Sequence, residues 1–472
     1  MKELESVDGG YPDINLGPGE SVQSIIAKDT HPAASPFRTT SWVDMGNEDL
    51  SIDRYTSREW HEREKETVWK KTWQVACRLE DIPEVGSYIV YDICDDSVII
   101  VRTGADTVKA YVNACLHRGN ALCLDQGRKN EFRCPYHGFT WSLQGQLKYV
   151  PGAWDFDHLN REQFCLPEVR LDTWGGFVFV NLDDNCAPLR QYLELLPQHL
   201  PGEELEKRYK AAHVSQVVYC NWKIALEAFI EGFHVPETHY EKDEQHRIDP
   251  NGIAAFSHDT KVQYDVWADS RHINRLILVD GVPSQYVANK VDEQQVVDAM
   301  LRRLPEEMRP RVEEGQRARD VLGDFNRKAL TQRYGVDLNE ASTFDVMDQV
   351  QYNIFPNFTV WPTPFAPLCY RFRPWNDSPD ESLFEIWMLH PVPTDGRDYQ
   401  VMAERRIGKN DLWADQKEMG VYGPVIDQDI PNLSRMTKGL KATRKKGVTL
   451  ARYQESRIRQ YMKTLEEYLN GG

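Results

Sequence analysis

The sequence predicts an α+β fold in which a small antiparallel β domain lies within a chain that is otherwise rich in helices. The 472 residues are enough for two or more structural units, each with its own core. Short β-rich runs, such as 88–91 and 177–180, fill the stretch 81–182 and are separated by Gly, Asp and Asn turns. Apolar residues at helical spacing flank this stretch, around 60–73 and in the tail at 452–469.

Composition and charge limit the classes of partner and compartment. The formal net charge of −17 argues against nucleic acid and anionic membranes as partners. No apolar run approaches the roughly 18 residues needed to cross a bilayer, and residues 1–5 do not resemble a signal peptide. The 9 cysteines show no paired framework. We therefore expect a protein without membrane contact in a reducing, cytoplasmic setting.

The first forty residues differ in composition from the rest. Residues 1–40 contain several Gly and Pro residues and have little apolar periodicity. This composition predicts an extended or partly disordered N-terminal arm that lies on another subunit.

Two short motifs supply four metal-binding side chains. Cys115 and His117 form a C-x-H pair, and Cys134 and His137 form a C-x-x-H pair after sixteen intervening residues. A mononuclear zinc site is one interpretation, but zinc fingers usually pair Cys with Cys and His with His. Here each loop supplies one thiolate and one imidazole, which suits a [2Fe–2S] centre with two Cys on one iron and two His on the other. The pattern closely resembles the Rieske motif.

The residues inside the loops indicate which kind of Rieske centre this is. Rieske proteins of respiratory and photosynthetic cytochrome complexes carry an extra Cys in each loop, joined by a disulfide. Here the matching places hold Asn120 and Tyr136. The motif is therefore similar to the oxygenase kind, whose lower potential suits electron transfer to an iron that activates oxygen.

A second constellation of metal-binding residues lies about a hundred positions downstream. Glu227, Glu231 and His234 are spaced i, i+4 and i+7, which predicts that they share one helix face. His239 follows five residues later, and Pro236 can end or bend the helix so that His239 returns beside His234. Two imidazoles then require one carboxylate to complete a 2-His-1-carboxylate facial triad with open positions for oxygen.

The two motifs together, with Asn221-Trp222-Lys223 before the second, resemble the large (α) subunit of Rieske non-heme iron ring-hydroxylating oxygenases over roughly residues 50–470. The resemblance implies that a Rieske domain, residues 73–182, is inserted into a helix-grip catalytic domain in which helices cover an antiparallel sheet. That larger domain comprises residues 41–72 and 183–472. The resemblance also implies a head-to-tail homotrimer, alone or as α3β3 with a small subunit, in which one cluster serves the neighbour's iron.

Site roles follow from the same resemblance. Glu231, where Asp is the commoner residue, is implied to link His234 to a cluster histidine of the neighbouring subunit and so to bridge electron transfer. Asp429 takes the place of the third iron ligand, with Asp427 as the reserve. Ala228 stands where the family often has Asn, a change that enlarges the expected pocket.

Apolar and aromatic residues near the second motif are candidates for the substrate pocket. The aromatic, strand-like stretches 352–361 and 384–389 resemble the family's sheet over the iron, and 292–335 is predicted as a helical insertion. The pocket candidates are Phe229, Ile230, Phe355 and Phe358.

These features together predict a terminal oxygenase component. One [2Fe–2S] cluster and one mononuclear Fe(II) receive electrons indirectly from NAD(P)H through a separate reductase, ferredoxin or both, because no nucleotide-binding glycine motif follows a strand. O2 is expected to react with an apolar, aromatic or polycyclic substrate, as in aromatic hydrocarbon catabolism. Dihydroxylation is the first expectation, and monohydroxylation or O-demethylation the alternative. A Rieske electron-transfer protein without oxygenase activity and a zinc-stabilised binding module are the other classes considered.

Overall fold

The computed structural model describes residues 20–239, 262–282 and 292–471. In these residues the chain forms a small domain of two antiparallel sheets and a larger domain in which one sheet is packed against helices. This arrangement confirms the α+β prediction and the small antiparallel β domain.

The strands of the small domain all lie between Gln74 and Asn181. Within the described residues it has a seven-stranded sheet and a three-stranded sheet, and the latter carries the second metal loop. The seven strands in spatial order are Gln74–Arg78, Phe177–Asn181, Glu168–Trp174, Thr107–Val112, Asp96–Gly104, Ser87–Ile93 and Gln126–Arg128. The three strands are Glu131–Arg133, Thr140–Ser142 and Leu147–Tyr149.

The larger domain has an eight-stranded sheet in the described part of the chain. Neighbouring strands are antiparallel except for the last pair, which is parallel. In spatial order the strands are Val262–Val266, Ile273–Leu278, Gln349–Ile354, Phe358–Val360, Leu368–Trp375, Ser378–Pro391, Arg208–Val218 and Arg405–Ile407. A two-stranded ladder pairs Leu50–Ser51 with Gly447–Val448.

Both faces of the larger sheet are buried, because each face packs against a different layer. Side chains alternate between the faces with the two-residue period of a strand. Along Ser378–Pro391, Phe384 and Ile386 belong to the core shared with the helices. Trp387, which points to the opposite face, belongs to a second core, where its ring centroid lies 6.1 Å from that of Phe177 in the small domain.

Helices cover the face of the sheet that carries Phe384. The helices Trp222–Ala228, Tyr422–Ala442 and Ser456–Leu469 bury Ile224, Leu433 and Ile458 respectively in the same core cluster. Sheet and helices therefore form the expected helix-grip arrangement. The remaining α-helices are Val22–Ile26, Asp53–Thr56, Arg58–Glu64, Leu189–Tyr192, Leu196–His199, Gly202–Glu206, Val235–Thr238, Glu293–Met300, Ala318–Tyr334 and Thr343–Met347.

Shorter helical turns and an insertion complete the architecture. The predicted insertion 292–335 is helical and has its own small core around Val297 and Leu322. A π-helical turn covers Lys65–Trp69, and the 3-10 turns are Ser35–Arg38, Leu79–Asp81, Ala153–Asp155, Glu306–Met308, Trp413–Asp415 and Lys417–Met419. Among the described helices, none is both long and apolar enough to cross a membrane.

The described part of the N-terminal segment differs from the expected extended arm. Residues 20–40 form the helix Val22–Ile26 and a 3-10 turn, and Ile25, Ile26 and Phe37 are buried in the core of this same chain. Val22, Ile25 and Ile26 do stand at helical spacing, but a helix of five residues is too short for this pattern to be recognised in the sequence. Residues 1–19 of the predicted arm lie outside the described part of the chain.

Residues that precede the small domain pack against the helix Trp222–Ala228 that follows it. The ring centroids of Trp69 and Trp222 are 4.7 Å apart. Glu64 is fully buried, and its two carboxylate oxygens accept hydrogen bonds from Lys223 Nζ at 2.6 Å and Trp222 Nε1 at 3.0 Å. The Trp222-Lys223 part of the motif found in the sequence therefore closes the larger domain around the inserted one.

We expect Lys223→Met to destabilise the protein by about 3–5 kcal/mol, because it leaves the buried Glu64 carboxylate without its cation. Urea unfolding followed by tryptophan fluorescence measures the loss. The matched control is Lys70→Met in the exposed Lys70–Glu66 pair, which should shift the urea midpoint little. If both substitutions lowered the free energy of unfolding equally, the buried pair would contribute no more to stability than the exposed pair, contrary to this prediction.

Candidate metal centres

The two loops of the Rieske motif share one backbone conformation. In the first loop the Cys115 N–H donates to the carbonyl of Asn120, and the Gly119 N–H donates to the carbonyl of Cys115, both at 2.8 Å. The second loop repeats these bonds around Cys134, at 2.8 and 3.0 Å. Each loop turns through a glycine with positive φ, +78° at Gly119 and +82° at Gly138, a conformation that favours glycine. Internal hydrogen bonds thus fix both loops.

The cysteine thiols of these loops are buried and surrounded by backbone donors. Two N–H groups of the same loop donate to each sulfur, and such donors favour the thiolate form that binds iron. The donors are His117 and Arg118 for Cys115, and Tyr136 and His137 for Cys134.

The two imidazoles of the motif lie side by side. The ring centroids of His117 and His137 are 4.7 Å apart, and His117 stacks on Phe139 at the same distance with an interplanar angle of 14°. His117 Nδ1 is buried and has no hydrogen-bond partner, as expected of an atom reserved for a metal. Two buried thiols and two adjacent imidazoles, supplied by the same two loops, fit a [2Fe–2S] centre.

The second constellation brings together three side chains that are distant in sequence. His234, His239 and Asp429 each offer a ligand atom, and these atoms lie within 4.8 Å of one another. Asp429 Oδ1 is 3.3 Å from His239 Nε2 and 3.6 Å from His234 Nε2. Two imidazoles and one carboxylate in this arrangement fit a mononuclear 2-His-1-carboxylate iron site.

The backbone that supplies the histidines differs from the predicted single helix. The helix Trp222–Ala228 ends before Glu231 and His234, so these residues do not share a helix face with Glu227. A separate one-turn helix, Val235–Thr238, begins directly after His234 and places His239 at its C-cap. Spacing in the sequence could not locate this break, because only tertiary packing determines where the first helix ends.

Each histidine is held on the side away from Asp429. His234 Nδ1 donates to Glu231 Oε1 at 2.5 Å, and His239 Nδ1 donates to Gln428 Oε1 at 2.9 Å. These acceptors fix the ring orientation and leave both Nε2 atoms facing the carboxylate. Gln428 was not predicted from the sequence, where the one signal for it is its position next to Asp429.

Asp429 and the reserve candidate Asp427 point in different directions from the helix Tyr422–Ala442. Asp429 is 4% exposed, and burial raises the pKa of its carboxyl to about 7. Asp427 accepts hydrogen bonds from the N–H groups of Trp413 at 2.8 Å and Ala414 at 2.9 Å. The structure therefore brings Asp429, and not Asp427, to the histidines.

A cavity of about 140 Å³ lies beside His234 and Asp429. Much of its wall is apolar, and Ala228 is part of it. The other apolar wall residues are Ile224, Leu433, Met436, Leu440, Val448, Leu450 and Ile458. The polar wall residues include Tyr55, Glu227 and Glu455.

The predicted pocket residues do not line this cavity, so that assignment is corrected. Phe229 packs in the core against Phe384, with ring centroids 4.7 Å apart. Ile230, Phe355 and Phe358 are also buried in core clusters. Aromatic character and proximity in sequence indicated burial correctly but could not distinguish core from cavity wall.

Glu227 is a buried carboxyl group in the cavity wall. Its two oxygens lie 3.0 and 3.1 Å from the hydroxyl of Tyr55, which comes from the segment before the small domain. Burial raises the pKa of Glu227 to about 8, although the Tyr55 hydrogen bond and the charge of Lys223 act in the opposite direction. The cavity therefore holds a carboxyl group that stays protonated near neutral pH.

Comparison with known proteins shows which family has this combination of domains and metal-binding residues. Residues 203–471 match the family model described as ring hydroxylating alpha subunit (catalytic domain). The chain belongs to the ring-hydroxylating alpha subunit family. Residues 72–159 match the Rieske [2Fe-2S] domain. The predicted family, its Rieske domain and its larger domain are thereby confirmed, as are the cofactors typical of the family.

Similar proteins within the family carry different names. The carnitine monooxygenase oxygenase subunit of Escherichia coli (strain K12) is 28% identical over 188 residues, which cover 39% of this chain and 50% of that protein. The anthranilate 1,2-dioxygenase large subunit of Acinetobacter baylyi is 32% identical over 227 residues, 45% of this chain and 47% of that protein. The chain thus spans about half the length of these curated relatives.

The fold itself is shared with solved structures of alpha subunits. A quaternary ammonium Rieske monooxygenase superposes with a TM-score of 0.60 at 17% identity. The match covers 89% of this chain and 95% of that one. The common fold therefore includes both the Rieske domain and the larger domain.

We expect the stability of Glu227→Gln relative to wild type to rise as the pH increases from about 5 to 8. Between the ordinary pKa of 4.5 and the folded value of about 8, the folded protein binds one more proton than the unfolded chain. Rising pH therefore destabilises wild type, by at most roughly 1.4 kcal/mol per pH unit. Urea unfolding across this range measures the difference. A difference that does not change with pH would show that Glu227 is already ionised when folded.

Proposed function

We propose that this chain is the terminal oxygenase component of a multicomponent system. Cys115, His117, Cys134 and His137 would hold the [2Fe–2S] cluster, and His234, His239 and Asp429 the mononuclear Fe(II). The observation that carries the proposal is the convergence of two imidazoles and one carboxylate, with both Nδ1 atoms held by acceptors, in a chain that also contains the Rieske loops.

The residues around the metal site have separable tasks. The bound iron would supply oxygen activation at its open positions. Asp429 and the two Nε2 atoms hold it from one side, while Glu231 and Gln428 keep the rings oriented. The apolar wall of the cavity would bind the substrate and exclude water from the reacting side. Neither an electron carrier without oxygenase activity nor a zinc-stabilised module accounts for this second centre.

Substrate and reaction outcome are the finer part of the proposal. An aromatic substrate and dihydroxylation remain our first candidate, supported by the apolar wall and by the relative named for anthranilate 1,2-dioxygenation. An ammonium-bearing substrate and monooxygenation form the second candidate. It is favoured by Glu455 in the wall, by the lack of Lys or Arg among the described lining residues, and by the relative named for carnitine.

Electron partners and assembly belong to the same proposal. Electrons would come indirectly from NAD(P)H through a separate reductase, ferredoxin or both, in the cytoplasm. The chain would assemble as a head-to-tail homotrimer, alone or as α3β3 with a small subunit. Glu231 would then bridge His234 to a cluster histidine of the neighbour. Its Oε1 accepts from His234 Nδ1, and its Oε2 accepts from the backbone N–H groups of Phe233 and His234, so the carboxylate is held firmly in place.

The experiment that tests the function is a screen of both substrate classes with a surrogate reductase, scored by oxygen-dependent product in mass spectrometry. Asp429→Ala should lose the mononuclear iron and all product, while the visible absorption of the cluster stays unchanged. Asp427→Asn is the matched control on the same helix and should keep iron and product, because Asp427 binds backbone N–H groups instead. Retention of mononuclear iron in Asp429→Ala would contradict the ligand assignment.

We expect Glu231→Gln to retain both metal centres and to lose most of its steady-state turnover. The amide has one acceptor oxygen where the carboxylate uses two, so it cannot serve His234, the backbone and a neighbour's imidazole together. Metal content and the rate of cluster reoxidation by O2 in the presence of substrate are measured on the same sample. Wild-type reoxidation in the variant would remove Glu231 from the electron path.

A further inference from the structure

Two amide side chains of the helix Tyr422–Ala442 contact the second histidine and the residue before it. Gln428 Oε1 accepts from His239 Nδ1 at 2.9 Å, and Asn432 Nδ2 donates to Thr238 Oγ1 at 3.4 Å. The two amides are four residues apart and therefore lie on the same side of the helix. Asp429, one position after Gln428, reaches the other ring nitrogen of His239 at 3.3 Å. Two adjacent residues of this helix therefore contact the two ring nitrogens of His239.

We propose that Gln428 is a positioning residue for the mononuclear metal centre. It holds the His239 ring so that Nε2 faces Asp429. Because its amide is neutral, it makes His239 a weaker electron donor to the metal than His234. The inference rests on the proposed function, since it assumes that a metal binds between the two histidines and Asp429.

The acceptor at Nδ1 decides which nitrogen of His239 is available. When Nδ1 carries the hydrogen and donates it to Gln428, the lone pair lies on Nε2, which faces Asp429. Without that acceptor the alternative tautomer, with hydrogen on Nε2, is no longer disfavoured. A ligand side chain that must first change tautomer or orientation binds the metal more weakly.

The two histidines differ in the charge of their acceptors. His234 donates to a carboxylate, Glu231, whereas His239 donates to an uncharged amide, Gln428. A charged acceptor raises the basicity of a metal-binding imidazole more than a neutral one does. In the mononuclear centre, His234 is therefore the more strongly polarised imidazole and His239 the more weakly polarised one. A carboxylate at position 428 should remove this asymmetry.

The test uses the full chain with its cluster intact. Mononuclear iron is removed with a mild chelator, and the site is titrated with Co(II) while its absorption spectrum is recorded. Gln428→Met, which removes the acceptor at similar length, should weaken Co(II) binding about 10–100-fold. Gln428→Glu should bind Co(II) at least as tightly as wild type and shift the spectrum of the bound ion. Lys438→Met, on an exposed part of the same helix, is the control and should leave affinity and spectrum unchanged.

The outcomes separate this inference from the proposed function. If wild type and Asp429→Ala bind Co(II) alike, the metal site itself fails. If wild type binds through Asp429 but Gln428→Met binds equally well, the positioning role is overturned. If thermal unfolding shows that Gln428→Met does not fold, the test rests on Gln428→Glu. This variant keeps an acceptor for His239, so it should bind Co(II) with undiminished affinity. Weaker Co(II) binding than in wild type would overturn the inference. If Gln428 served packing alone, Gln428→Glu, which has the same shape, would leave the spectrum of bound Co(II) unchanged, and that result would overturn the inference.

Discussion

The buried carboxylate of Glu64 is the interaction on which the arrangement of this chain depends. A carboxylate removed from water must be paired and hydrogen-bonded, and Glu64 meets both needs through Lys223 and Trp222. Glu64 precedes the Rieske domain in the chain, and its partners follow that domain. The pairing therefore closes the larger domain around its insertion. It also fixes the start of the helix whose far end leads to Glu231 and His234.

The two metal centres are supported in physically different ways. Each cluster loop is closed by hydrogen bonds between residues four and five positions apart, so its shape is largely a local property of the sequence. Such loops, set on antiparallel strands, suit a centre that exchanges electrons with little rearrangement. In the mononuclear site the bonds between Glu231 and His234 are local, but the three ligands come from segments that are distant in sequence. The loop at 229–239 and the helix Tyr422–Ala442 meet there only because both pack against the same sheet.

This difference explains how much could be predicted from the sequence. The cluster residues, Cys115 to His137, were accessible because their spacing encodes their geometry. His234, His239 and Asp429 were accessible through family resemblance, and the structure brings all three together. The end of the helix at Ala228 and the contact of Gln428 with His239 depend on packing between distant segments, which no local pattern records. For the same reason Phe229 was placed in the pocket although it lies in the core.

The charges around the cavity indicate why this site suits a cation. Glu231, Asp429 and Glu455 line it, and the described lining contains no Lys or Arg. Glu231 accepts a hydrogen bond from His234, and among the described residues Glu227 is hydrogen-bonded to the neutral Tyr55. Asp429 is left among other carboxylates, and burial raises its pKa to about 7. A divalent metal would supply the missing positive charge and favour the ionised carboxylate that ligation requires. Metal binding, proton release and the stability of this part of the protein are therefore expected to be coupled.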